Sequence, residues 1–211
     1  STKLGRLNEE TKPCLYAALR RETALREISA AEGDLVQLIG FRVKPEQTIE
    51  LAVIGDLFHM YKTGYTKTFG TDPYNAFSRT INQEDKDKGL RLIYIDAFLG
   101  SLIADKDANK KRYTATRQLA SLIYQVTDAE GIFYPSVLDA PGINIALRPE
   151  PYDSKTHIVC SQFIRINKLR NFNFFDYEII LEASNIDSCG NFCWSKPNPS
   201  GATTLFGLTK H

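Results

Sequence analysis

The sequence predicts an α+β fold with mixed or antiparallel sheets and helices between two groups of strands. Three observations carry this expectation. Runs rich in β-branched and aromatic residues lie in the first quarter of the chain, at residues 14–19, 34–43 and 48–54, and return at 131–134, 143–147, 157–166 and 174–183. Helical periodicity is concentrated between them, at 88–105 and 109–127. The regular strand–helix alternation of a doubly wound parallel sheet is missing.

The first strand follows Pro13 as a short apolar run. Residues 22–31 read as a helix, because acidic Glu22 suits the positive end of the helix dipole and Gly33 offers a stop. Residues 34–43 carry Leu35, Val36, Leu38, Ile39, Phe41 and Val43, a strand composition, and 48–54 is a further strand. Residues 62–72 are polar, contain Gly64 and Gly70, and read as a loop. In the second helical segment Leu119, Leu122, Ile123 and Val126 recur at helical spacing and are expected to form one core-facing stripe. After Ser184 the chain turns to Asn, Ser, Pro and Gly, including Lys196-Pro197-Asn198-Pro199-Ser200-Gly201, and is expected to be an irregular extension.

At 211 residues and 43% hydrophobic, the chain is expected to be a single domain over 1–211. Its formal net charge of +1 gives no electrostatic reason for nucleic acid or an anionic membrane as the main partner. The cysteines Cys14, Cys160, Cys189 and Cys193 are too sparse for a disulfide framework, and Cys189 and Cys193 lack a second ligand pair at zinc-like spacing, so no metal is expected. No apolar run reaches the roughly 18 residues of a bilayer span. Residues 1–11 are polar and lack the apolar region of a signal peptide, so a cytoplasmic protein is expected. The first residue is Ser1 rather than Met, which leaves a preceding segment open.

The common catalytic signatures are missing: no dinucleotide or P-loop glycine pattern, no H-E-x-x-H, no G-x-S-x-G, no deaminase motif. Four ordered blocks remain. They are Gly5-Arg6-Leu7-Asn8 followed by Pro13-Cys14-Leu15-Tyr16-Ala17-Ala18; Glu22-Thr23-Ala24-Leu25-Arg26-Glu27-Ile28; Glu130-Gly131-Ile132-Phe133-Tyr134-Pro135-Ser136-Val137; and Gly142-Ile143-Asn144-Ile145-Ala146-Leu147. In this order they resemble the RES domain, whose pattern runs G-R-x-N, L-Y-x-A, E-T-A-L-x-E, D-G-I-x-Y-x-S and N-x-A. Glu130 stands where Asp is usual. The blocks span 5–147, and the RES-like core is expected over about 5–167, with 168–211 a C-terminal strand and irregular extension.

The resemblance implies an ADP-ribosyltransferase-like core and a toxin that consumes NAD by hydrolysis or phosphorolysis. Transfer of ADP-ribose to a protein, or a non-catalytic binding module on the same fold, are the alternatives it leaves open. It also implies a cognate antitoxin or immunity protein as partner. The residues suit NAD as substrate. Breaking its N-glycosidic bond generates an oxocarbenium-like ribose, so a site needs a phosphate clamp, an aromatic platform and a carboxylate. Arg6 offers a permanently charged fork for the diphosphate, although an arginine in a loop is ordinarily a solvated charge. Tyr16 offers a ring for the nicotinamide, although strand tyrosines ordinarily pack in a core. Glu27, the closing carboxylate of E-T-A-L-R-E, can stabilise the ribosyl cation, or be an ordinary exposed helix carboxylate. Ser136, at a strand end after Tyr134-Pro135, can bond a ribose or phosphate oxygen, or serve its own turn. Tyr134 shares a face with Ser136 and is a second contact, and Asn144 lies opposite the flanking isoleucines, where it can position Ser136 or the substrate.

Overall fold

The strand-forming runs of the sequence assemble into two separate sheets. In the computed structural model the described residues are 5–8, 13–66, 72, 73, 75, 78, 79, 86–105, 113–140, 142–183 and 185–197. The fold is α+β. The chain groups into two compact units: Ser1–Leu19 with Ile49–Tyr152, and Arg20–Thr48 with Asp153–His211.

The first unit contains strands β1 (Leu15–Ala18), β3 (Leu51–Val53), β4 (Gly131–Pro135) and β5 (Ile143–Leu147), in the spatial order β1-β5-β4-β3. β1–β5 and β5–β4 are antiparallel and β3–β4 is parallel, so the sheet is mixed. Its register pairs Ile132 with Ala146 and Tyr134 with Asn144. Alternation therefore puts these four side chains on one sheet face. The core of this unit joins Ile132, Tyr134 and Ala146 to Leu7, Ile54, Ile103, Leu119 and Ala120. Two helices supply part of that core: α3 (Lys86–Ile103) through Ile103, and α4 (Thr114–Val126) through Leu119 and Ala120.

A buried carboxylate fixes how α3 meets the chain after β3. Asp96 Oδ1 accepts the Gly55 N–H at 2.7 Å and Oδ2 accepts the Phe58 N–H at 3.1 Å. The second bond satisfies an orphan donor in the first turn of the short helix α2 (Leu57–Thr63), which has no side-chain cap of its own. One turn along α3, Gly100 lies so close that a Cβ there would stand 3.0 Å from the Gly55 Cα. The sequence predicts a loop from residue 62, and α2 overruns its beginning. A helix this short has little periodicity to read, and Asp96, which caps it, is distant in sequence. Its end is legible: Gly64 takes φ 79° and closes it with an N–H to Met60 O at 2.9 Å.

The second unit is the antiparallel sheet β2-β6-β7, formed by Leu35–Val43, Thr156–Leu169 and Phe175–Ala183, with helix α1 (Arg21–Glu27). Leu25 and Ala30 pack with Ile164, Ile166 and Phe175 as its core. The helix ends well before the predicted Gly33. Ser29 adopts φ 55°, its N–H bonds Arg26 O at 2.9 Å, and the Ala30 N–H bonds Leu25 O at 3.0 Å. This is a Schellman closure with serine where glycine is usual, and burial of Ala30 against Leu25 supports it. A further helix, α5 (Pro149–Lys155), runs directly into β6 where no helix is predicted.

The predicted stripe on α4 is half right. Leu119 is buried and Ile123 packs against the core, but Leu122 and Val126 are 55% and 69% exposed. Thr116 and Ala120 take the buried positions instead. The tail has isolated bridges Glu182–Ser195 and Ile186–Phe192 and a turn at Asp187, in keeping with an irregular extension; residues 198–211 lie outside the described set. Among the described residues no helix is long and apolar enough to cross a membrane.

Asp96→Ala leaves the Gly55 and Phe58 N–H groups without their charged acceptor. Chemical denaturation should show a loss of about 3 kcal/mol, with Asp96→Asn losing roughly half as much because its remaining carbonyl keeps one bond.

Candidate active site

The two halves of the first sequence block, Gly5-Arg6-Leu7-Asn8 and the strand carrying Tyr16, are joined by one phenol. Tyr16 Oη accepts the Leu7 backbone N–H at 2.7 Å and donates to Asn8 Oδ1 at 2.9 Å. Gly5 and Asn8 close the turn with an isolated bridge. A Cβ on Gly5 would stand 2.3 Å from Asn8 Oδ1 and 2.6 Å from Tyr16 Oη, which explains why glycine opens the block. Leu7 sinks into the core of the first unit and anchors the turn from below.

This turn aims Arg6 at the C-terminal end of α3. Its Nη1 donates to Ile103 O and Asp105 O, both at 2.7 Å, so the guanidinium satisfies carbonyls at the negative end of the helix. The ring of Tyr113 lies 5.4 Å from Arg6 Cζ, within cation–π range. Tyr113 sits just before α4 in the left-handed conformation, at φ 55°. Sequence reading did not single it out, since nothing local marks a tyrosine as the partner of an arginine so distant in the chain. Both N–H groups of Nη1 are engaged, so the Nε and Nη2 edge of Arg6 is the one a phosphate could meet.

Tyr16 pairs directly with Ala146, so Tyr16, Tyr134 and Asn144 share one sheet face. Tyr134 and Asn144 are buried, whereas Tyr16 leaves 40% of its surface exposed. Its hydroxyl is held against the Gly5–Asn8 turn. Ser136, buried just past β4, accepts the Leu138 N–H at 3.2 Å and the Asp139 N–H at 2.9 Å on Oγ. Its own N–H bonds Gly142 O at 2.8 Å, so Ser136 organises the turn between β4 and β5. Glu27 is exposed and closes α1 in the second unit. The structure thus links Arg6 to Tyr16 through the turn and Tyr134 to Asn144 across the strands.

A cleft of about 540 Å³ lies in the first unit. Leu7, Asn8 and Cys14 line it together with Arg117 and Tyr124 of α4 and Arg148 after β5, and none of the residues singled out from sequence does. Cys14 Sγ donates to Leu147 O at 3.3 Å, and Tyr124 Oη donates to Ala146 O at 3.4 Å. Burial pushes the ionisation of Cys14, Tyr16 and Tyr124 upward. The Leu7 N–H opposes the shift at Tyr16, and the Arg148 guanidinium opposes it at the other two. Among the described residues no group of three His, Cys, Asp or Glu stands close enough to hold a metal ion.

A family model described as RES domain matches residues 2–163. No curated protein and no solved structure matches the chain.

Tyr16→Phe removes the acceptor of the Leu7 N–H and the donor to Asn8, and should cost about 1–2 kcal/mol by thermal or chemical unfolding. Gly5→Ala should be worse, because the clashing atoms include the hydroxyl that holds the turn. The upward shifts also set an alkaline limit. In the unfolded chain these groups ionise near their ordinary values of 9.0 and 10.0, while the folded chain keeps them neutral. Unfolding then releases protons, so stability should be flat below about pH 9 and fall as pH rises above it. A melting temperature that rose between pH 9 and 11 would contradict this ordering.

Proposed function

The chain belongs to the RES domain family, and from that premise we propose that it cleaves the N-glycosidic bond of NAD, releasing nicotinamide, on an ADP-ribosyltransferase-like core. Family membership supports a toxin-like, NAD-related role in general. The observation that carries the more specific reading is the Tyr16 joint: the two halves of the first block meet through hydrogen bonds that hold the turn bearing Arg6 against a half-buried tyrosine.

In the proposed reaction the Nε and Nη2 edge of Arg6 pairs with a diphosphate oxygen, and the Tyr16 ring stacks on the cationic nicotinamide. The bond between ribose C1′ and the nicotinamide nitrogen breaks, and its electron pair leaves with the now neutral nicotinamide. Glu27 is the carboxylate that the family pattern assigns to the positive charge that develops on the ribose. Water or phosphate then forms the new bond at C1′ and gives up its proton to solvent. Ser136 and Asn144 hold ribose hydroxyls, with Tyr134 supporting them from the core. A protein side chain as acceptor would make the enzyme an ADP-ribosyltransferase through the same bond cleavage. The toxin reading carries with it a cognate antitoxin or immunity protein as partner and the cytoplasm as the place of action.

Incubation of the purified chain with NAD should release nicotinamide, followed chromatographically. ADP-ribose as co-product marks hydrolysis, its 1″-phosphate marks phosphorolysis, and a mass increment on added protein marks transfer. Glu27→Gln, at an exposed position, should leave the melting temperature within a few degrees and lower turnover by about 100-fold or more. No nicotinamide after hours at high enzyme concentration would end the NAD reading, and an unimpaired Glu27→Gln would remove Glu27 from it.

A further inference from the structure

The cleft in the first unit has a chemistry of its own. Helix α4 lines it with Arg117, Ser121 and Tyr124, and Arg148 enters beside Pro149. The Arg148 guanidinium lies over the Tyr124 ring, 5.7 Å from its centroid. Neither Arg117 nor Arg148 has a carboxylate partner among the described residues. The Nε of Arg117 is buried and meets no hydrogen-bond acceptor among the described residues. A buried guanidinium N–H without an acceptor is disfavoured, and the cleft that Arg117 lines is a place from which an acceptor can be supplied to this side chain. The floor is different in character: Leu7 and Ala120 are apolar and buried.

We propose that this cleft binds a small organic phosphate monoester, the phosphate between Arg117 and Arg148 and the organic body against Tyr124 and the apolar floor. Two guanidinium groups and the Glu150 carboxylate line the cleft, so its net charge is positive and suits a monoester. It carries roughly −1.5 to −2 at neutral pH with three acceptor oxygens, whereas one carboxylate carries a single charge and satisfies one fork. The volume of about 540 Å³ exceeds what bare phosphate fills and lies in the range of small-molecule sites. A planar body can stack on the Tyr124 phenol, whose hydroxyl is already bonded to Ala146 O. The site is independent of the NAD reading, because none of Arg6, Tyr16, Glu27, Tyr134, Ser136 and Asn144 lines it.

Calorimetric titration of the full chain with phenyl phosphate, ribose 5-phosphate and inorganic phosphate tests this. Saturable binding of at least one ester is expected, with affinity falling about tenfold or more in Arg117→Gln and in Arg148→Gln and unchanged in Glu27→Gln. A second measurement needs no variant: bound ester should slow alkylation of Cys14, which lines the cleft, and leave exposed Cys160 unaffected. No binding of either ester at several millimolar, or binding and Cys14 labelling indifferent to both arginines, would overturn the site. Inorganic phosphate binding as tightly as the esters would overturn the organic body. A chain that binds the esters but leaves NAD intact would fail only the NAD reading, and the reverse result would fail only this one.

Discussion

Tyr16 Oη stands where strand β1 meets the Gly5–Asn8 turn, accepting one N–H and donating to one side-chain carbonyl. A hydroxyl that does both is fixed in rotation, and the turn that it holds is fixed with it. Leu7 is thereby set into the core, and Arg6 into the end of α3. Loosening this phenol would free the arginine, the helix end and part of the core together. The half-buried setting adds to the arrangement, since hydrogen bonds partly shielded from water are more costly to leave unmade.

The same economy recurs across the first unit. Asp96 serves the backbone of the segment after β3, Ser136 the turn after β4, and Arg6 the carbonyls that end α3. Buried or half-buried polar side chains in this protein close backbone donors and acceptors that helices and turns leave open. Residues that read as chemistry in the sequence thus also have structural duties. For Arg6 the two are compatible, because carbonyls take one nitrogen of the fork and leave an edge for an anion. Substitution of Arg6 disturbs those carbonyls whatever else it does, so exposed Glu27 is the cleaner probe of the proposed activity.

Arg117 and Arg148 lie outside the blocks that identify the family, whereas Leu7, Asn8, Pro13 and Cys14 on the lining of the same cleft belong to the first of them. The turn that holds Arg6 therefore also forms part of this second surface. Its two arginines come from a face of α4 and from the position just after the block on β5.

What the sequence determined by itself is the α+β class, most of the strands, the two long helices and the order of the family blocks. These follow from local periodicity, propensity and short motifs, which need no partner elsewhere in the chain. Within the blocks, residue identities marked Arg6, Tyr16 and Glu27 as candidates. Tertiary structure decided the rest. Helix α1 stops at Ser29 because Ala30 is buried against Leu25, and α2 forms with its first turn bonded to a carboxylate on α3. Tyr113 lies beneath Arg6, and Gly5 must be glycine, for reasons visible only once Tyr16 and Asn8 are in place. Each of these is a contact between residues distant in sequence or a close approach in space. The chain encodes such contacts in the packed whole, and no window of neighbouring residues contains them.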